Sequence, residues 1–120
     1  AIMYTVTTLQ RSIIGEQKMT EKDFINTDSI GGTSLRGSIE CSYSDIVEVF
    51  GEPSEGTDKT DAEWAVEFPC GTVATLYNWK NGVNYCGAYG TFVEHITQWN
   101  IGGYNYNSVE LVKKALDKAQ

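Results

Sequence analysis

The stretch AEWAVEFPCGTVATLYNW, residues 62–79, constrains the fold of this chain more than any other. Trp64, Val66 and Phe68 alternate with Glu63, Ala65 and Glu67, the period-two pattern of a strand with one buried and one wet face. Pro69-Cys70-Gly71 turns the chain, and TVATLYNW returns as a second strand, so the segment reads as an antiparallel hairpin.

The neighbours of this hairpin extend the pattern. In LRGSIEC, residues 35–41, Leu35, Gly37, Ile39 and Cys41 alternate with Arg36, Ser38 and Glu40, which predicts a half-buried strand. Ser42 is placed to cap a helix from Tyr43 to Phe50 with Ile46, Val47 and Phe50 facing the core. Gly51 ends that helix and Pro53 forbids its continuation. Downstream, Asn81-Gly82 predicts a second hairpin turn leading into VNYC as a strand. A loop at GAYGT, residues 87–91, precedes a strand near HITQWNI, residues 95–101, which Gly102-Gly103 is expected to break. Asn107 or Ser108 opens a last helix, where Val109, Val112 and Leu116 form an apolar stripe. Lys113, Lys114 and Lys118 suit the negative end of its dipole.

The resulting expectation is an α+β fold: an antiparallel β-meander with two helices packed on one face. The first residues read differently. MYTVTTL, residues 3–9, is β-prone, Thr20 to Asp23 predicts a cap for a short helix through Phe24 and Ile25, and NTDSIGGTS, residues 26–34, is turn chemistry. Residues 1–34 are therefore expected to form an N-terminal arm or oligomerisation anchor, and residues 35–120 the ligand-binding core.

Charge and cysteine usage exclude several classes. Sixteen acids against nine bases give a net charge of −7, which repels nucleic acid because phosphate binding needs clustered Lys and Arg. The acids are dispersed apart from EPSEGTDKTDAE, residues 52–63, expected to be a solvated loop. No apolar run reaches the length of a membrane span, and AIMYTVTTLQ has neither the basic nor the long apolar region of a signal peptide, so a cytosolic location is expected. Cys41, Cys70 and Cys86 are odd in number and widely spaced, which fits reduced thiols. A zinc site joining them to His95 is set aside because zinc ligands usually arrive in close pairs. Any Cys would satisfy a loose Cys/His pairing with His95, and IGGTS, CGAYG and NIGGYN match no phosphate- or dinucleotide-binding fingerprint. Neither catalysis nor a resident cofactor is expected.

What stands out is a density of rings and amides. Trp64, Tyr77, Trp79, Tyr85, Tyr89, Phe92, Trp99, Tyr104 and Tyr106 crowd the second half, interleaved with Asn78, Asn81, Asn84, Gln98, Asn100, Asn105 and Asn107. Core packing explains Trp64 and one of Tyr77 or Trp79, and turns or caps explain Asn81 and Asn107. The remainder suits a nucleobase or nicotinamide-like ring with its ribose hydroxyls. Phosphates would call on Arg11, Arg36, Lys80 or the lysines of the last helix. Arg36, on the outward strand face, serves either as a pyrophosphate fork or as a surface partner of Glu40.

The series LRGSIECSYSDIVEVFGEPSEGTDKTDAEWAVEF, GTVATLYNW, NGVNYCG and ITQWNIGG, ending in an amphipathic helix, resembles the first-described Thoeris anti-defence (Tad) sponges of phages. The similarity spans about residues 35–116. It implies an N-terminal anchor, an α/β core, assembly into symmetric homo-oligomers in the host cytoplasm, and capture of cyclic ADP-ribose isomers made by bacterial TIR enzymes. Some members also hold cyclic oligonucleotides. The resemblance assigns no individual residue. Taken with the rings, amides and cations, it points to Arg36, Trp79, Asn84, Tyr85, Phe92, His95 and Trp99 as ligand contacts. Two other readings are an acidic inhibitor that covers a basic surface of a host defence nuclease, through Glu40, Glu52, Glu55, Asp58, Asp61 and Glu63, and a structural phage oligomer.

Overall fold

A computed structural model of the protein describes residues 24–28 and 30–118. Its centre is the hairpin. Strand β4 (Ala62–Glu67) pairs with β5 (Val73–Tyr77) in the register Trp64↔Leu76 and Val66↔Ala74, and all four of these side chains are buried. Phe68 continues the inward row. Its N–H bonds Thr72 O across the turn at 2.9 Å, with Gly71 in the left-handed region at φ 90°. Around the hairpin lie β1 (Ile25–Asn26), β2 (Ser34–Glu40), β3 (Ser54–Glu55) and β6 (Gln98–Gly103). The order is β1-β4-β5-β6-β2, with every pair antiparallel. β1 covers the outer edge of β4 at Val66 and Glu67, and β3 covers it at Ala62 and Glu63.

Two helices, α1 (Tyr43–Phe50) and, numbered by chain order, α3 (Asn107–Lys118), cover one face of the six-stranded sheet, as expected of an α+β fold. Ser42 Oγ accepts from Asp45 N–H at 3.2 Å, and Gly51 closes α1 by donating to Val47 O from φ 88°. α1 buries Ile46 and Phe50, and α3 buries Val109, Val112, Ala115 and Leu116. Asn105 caps α3: its Oδ1 accepts from Asn107 N–H at 2.9 Å, and its carbonyl accepts from Ser108 Oγ. Trp64 and Trp99 meet edge to face at 5.4 Å beneath Tyr43. Each indole N–H is satisfied, Trp64 by Gly51 O at 2.7 Å and Trp99 by Cys41 O at 2.9 Å. Truncating either to Ala costs about 3–5 kcal/mol.

Six local expectations are corrected. Asn81-Gly82 makes no hairpin. VNYC is the short helix α2 (Val83–Cys86), and the left-handed residue is Lys80 at φ 61°, not the Asn-Gly pair that a type I′ turn needs. Asn81 Oδ1 is engaged by Asn78, and Gly82 lies against the Asp61 carboxylate where a Cβ would collide. Gly102 and Gly103 do not break β6. They complete it, because Gly102 faces Thr75 Oγ1 and Gly103 packs against Ser108, approaches that exclude side chains. The strand itself starts at Gln98, later than expected, after a 3₁₀ turn at Val93–His95.

Leu35 does not point inward. A bulge between Leu35 and Gly37 inverts the alternation, pairing Leu35 with Gly102 on the helix-free face while Gly37 fits under Val109. Ile25 lies in a strand rather than a helix. Beside it Phe24 packs on Phe50 at 4.8 Å and Phe68 at 5.9 Å, so chain before residue 35 enters the core. Residues 52–63 are more than a solvated loop, since β3 and a Thr57–Thr60 turn organise them. The expected strand at 3–9 and the cap at Thr20 to Asp23 lie outside the described residues.

Candidate functional site

Pleating sends Glu63, Ala65, Thr75, Tyr77, Asn100 and Gly102 to the face opposite the helices. Two loops rise over it. The Ile30–Thr33 turn closes through Thr33 N–H to Ile30 O at 3.0 Å and is pinned by Tyr104 Oη donating to Gly31 O at 2.7 Å. The 52–60 segment is anchored by Ser54 Oγ donating to Glu63 O at 3.1 Å. Between them runs a groove of about 740 Å³, floored by Ala65, Thr75 and Gly102 and bounded by Ile30, Tyr77 and Trp79. Cavities of about 300–1,000 Å³ hold small ligands. Hydroxyls of Thr33, Ser34, Ser54, Thr57 and Thr60 ring it, with carboxylates from Asp28, Glu52 and Glu63. Among the described residues, no Lys or Arg lines it. Burial, with Glu63 adding to it, pushes the Tyr77 phenol up, so its hydroxyl stays protonated.

Trp79 belongs to the groove and to a second feature. Lys80 Nζ sits 5.7 Å from the Trp79 ring centre and 5.4 Å from that of Tyr85. Both rings are half exposed, at 48% and 51%. The left-handed backbone at Lys80 sets up this arrangement, with its N–H bonded to Lys59 O at 2.8 Å. A cation held between two ring faces gains about 0.5–1 kcal/mol per contact at an exposed site.

The support beneath is a polar network that sequence reasoning did not foresee. Asn78 is fully buried. Its Oδ1 accepts from Asp61 N–H at 2.7 Å and Ala62 N–H at 3.2 Å. Its Nδ2 donates to Asp61 Oδ1 and Asn81 Oδ1, both at 2.9 Å. Asp61 Oδ2 accepts from Asn84 N–H, and Asn84 Nδ2 donates to Thr57 O at 3.0 Å and Thr60 O at 2.9 Å. Thr60 Oγ1 completes the chain by donating to Glu63 Oε2 at 2.7 Å. Two stretches, residues 57–63 and 78–84, thus lock together, and the only prior signal was the cluster of Asn itself.

The anticipated contact residues divide accordingly. Trp79 and Tyr85 come together around Lys80, and exposed Phe92 belongs to the same excursion, which a Gly82–Thr91 bridge closes. Asn84 lies below them with its amide spent on the 57–60 loop. Arg36 is two strands away on β2, its Nε donating to Gly103 O at 2.9 Å rather than pairing with Glu40. His95 is exposed at the end of a 3₁₀ turn beside α1. Trp99 is 0% exposed, a core residue that cannot touch a ligand. Asp61, named as an acid for a basic partner, spends its carboxylate on Asn78 and Asn84. Among the described residues, no three His, Cys, Asp or Glu side chains gather as metal ligands, and no helix is long and apolar enough to cross a membrane. No protein-family model matches the sequence, and no curated protein is significantly similar to it.

Proposed function

We propose that this protein binds a nucleotide-like signal and holds it without chemical change. The observation that carries the reading is Lys80 between Trp79 and Tyr85 at the rim of a ligand-sized groove. A flat base stacks on the exposed rings, a phosphate meets the Lys80 ammonium, and ribose hydroxyls reach the Thr and Ser hydroxyls of the groove wall. Three carboxylates, with no lining cation among the described residues, disfavour phosphate on the groove floor, so the charged part of the ligand belongs at the Lys80 edge. Its resemblance to the Tad sponges makes cyclic ADP-ribose isomers, in Thoeris-type immunity, the first ligands to try. Stacking contributes about 1–3 kcal/mol per base, so Trp79→Ala is expected to weaken binding about tenfold to a hundredfold. The test is calorimetric titration with cyclic ADP-ribose isomers, then heating to release the ligand for mass spectrometry. Intact ligand supports the reading; absence of binding heat, or recovery only of hydrolysed product, refutes it.

A second reading draws on the same groove. The carboxylates of Asp28, Glu52 and Glu63 suit a basic segment of a protein partner, with no Lys or Arg beside them in the groove among the described residues. Reversing Glu52 and Glu55 separates the two, because it abolishes salt-sensitive protein binding and leaves stacking at Trp79 intact.

A further inference from the structure

β2 ends the sheet, and its outer edge pairs with no other strand among the described residues. Cys41 N–H bonds Thr97 O at 2.8 Å, and the ladder continues through Ile39↔Trp99 and Ser38↔Asn100. By antiparallel alternation, the amides of Ser38 and Glu40 therefore point away from β6. Open edges of this kind are usually blunted by charge. Here the charges attract a copy of the same strand. Antiparallel pairing centred on Ser38 sets Gly37 of each copy opposite Ile39 of the other and brings Arg36, which sits in the bulge of β2, alongside Glu40 of the other copy. Both charged residues are exposed, and Arg36 has no carboxylate within ion-pairing reach among the described residues. Only its Nε is committed, to Gly103 O, which leaves the terminal guanidinium nitrogens for a carboxylate.

We propose that the protein dimerises edge to edge through β2 about a two-fold axis at Ser38, fusing two sheets into one. The axis runs perpendicular to the sheet, so the helices of both copies lie on one side and both grooves open on the other. None of the groove or platform residues takes part, so this inference stands apart from the ligand reading.

Sedimentation equilibrium of the full chain over a range of concentrations tests it, with far-UV circular dichroism confirming each variant's fold. The wild type is expected to sediment as a dimer. Ser38→Pro removes an outward amide that β6 does not use, so it should yield folded monomer. Arg36→Glu or Glu40→Arg alone should raise the dissociation constant about tenfold or more by facing like charges, and the double swap should restore it. Should Ser38→Pro misfold, the charge-swap trio decides alone. A monomeric wild type, or assembly indifferent to both single reversals, overturns the proposal, as does pairing of β2 with a different protein in place of its own copy.

Discussion

Replacing Asn78 by Ala is the sharpest test of what holds the ring platform in place. Asn78 is 0% exposed, and its side chain makes four hydrogen bonds. Asp61 Oδ1 and Asn81 Oδ1 are only half-buried after the truncation and recruit water, while the buried Ala62 N–H is left without a partner. One orphaned donor at about 1–3 kcal/mol, plus net losses of about 0.5–1 kcal/mol for the others, totals about 3 kcal/mol. For a domain of this size that is a fall in melting temperature of about 10 °C. Thermal and urea unfolding followed by circular dichroism measure it. A loss below about 1 kcal/mol refutes the network as the support. Asn78→Asp adds a check on sign. It sets a second carboxylate against Asp61 Oδ1, so the folded state raises the affinity of the pair for a proton. Relative to wild type, stability is then lowest at neutral pH, and the deficit shrinks as pH falls through the raised folded-state value.

Other consequences are simpler to read. Gly82→Ala drives a methyl group into the Asp61 carboxylate and should destabilise by several kcal/mol, about as much as losing the network, whereas at Gly51, where open space surrounds the Cβ position, only the left-handed backbone penalty of about 1–2 kcal/mol applies. Differential scanning calorimetry of both variants distinguishes them. Of the described tryptophans only Trp79 is accessible, so acrylamide should quench one component of the fluorescence, and Trp79→Phe should remove that component. The Thr72 hydroxyl and backbone hold the Cys70 thiol below its usual range, while burial and then Asp45 push Cys41 up. Iodoacetamide at neutral pH should therefore label Cys70 ahead of Cys41, as peptide mass spectrometry would report.

The elements legible in the chain were those whose cause is local. Trp64, Val66 and Phe68 announce β4 through period two, and Ser42 with Gly51 brackets α1, because alternation and capping act within a few residues. Leu35 misled because a bulge shifts the phase at a single residue, and nothing in LRGSIEC marks where the extra residue sits. Asn81-Gly82 and Gly102-Gly103 misled for a shared reason. Glycine permits a turn, but it also permits close approach, and which use is made depends on a residue far away in sequence: Asp61 for Gly82, Ser108 for Gly103.

The site divides along the same line. Rings were countable from composition but their exposure was not: Trp99 lies within β6 on the helix-covered face against Tyr43, while Trp79, two residues beyond the end of β5, follows Thr75 and Tyr77 on the helix-free side. What makes Trp79 usable is the left-handed step at Lys80 together with the reciprocal bonds of Asn78 and Asp61, and each partner in that set is ordinary when viewed alone. A network in which every member satisfies another has no local signature, since removing any one member leaves a donor or acceptor stranded. Its rigidity is also what a capture site needs. A platform already held in its bound shape loses little entropy when a ligand arrives, so more of the stacking and ion-pairing energy appears as affinity.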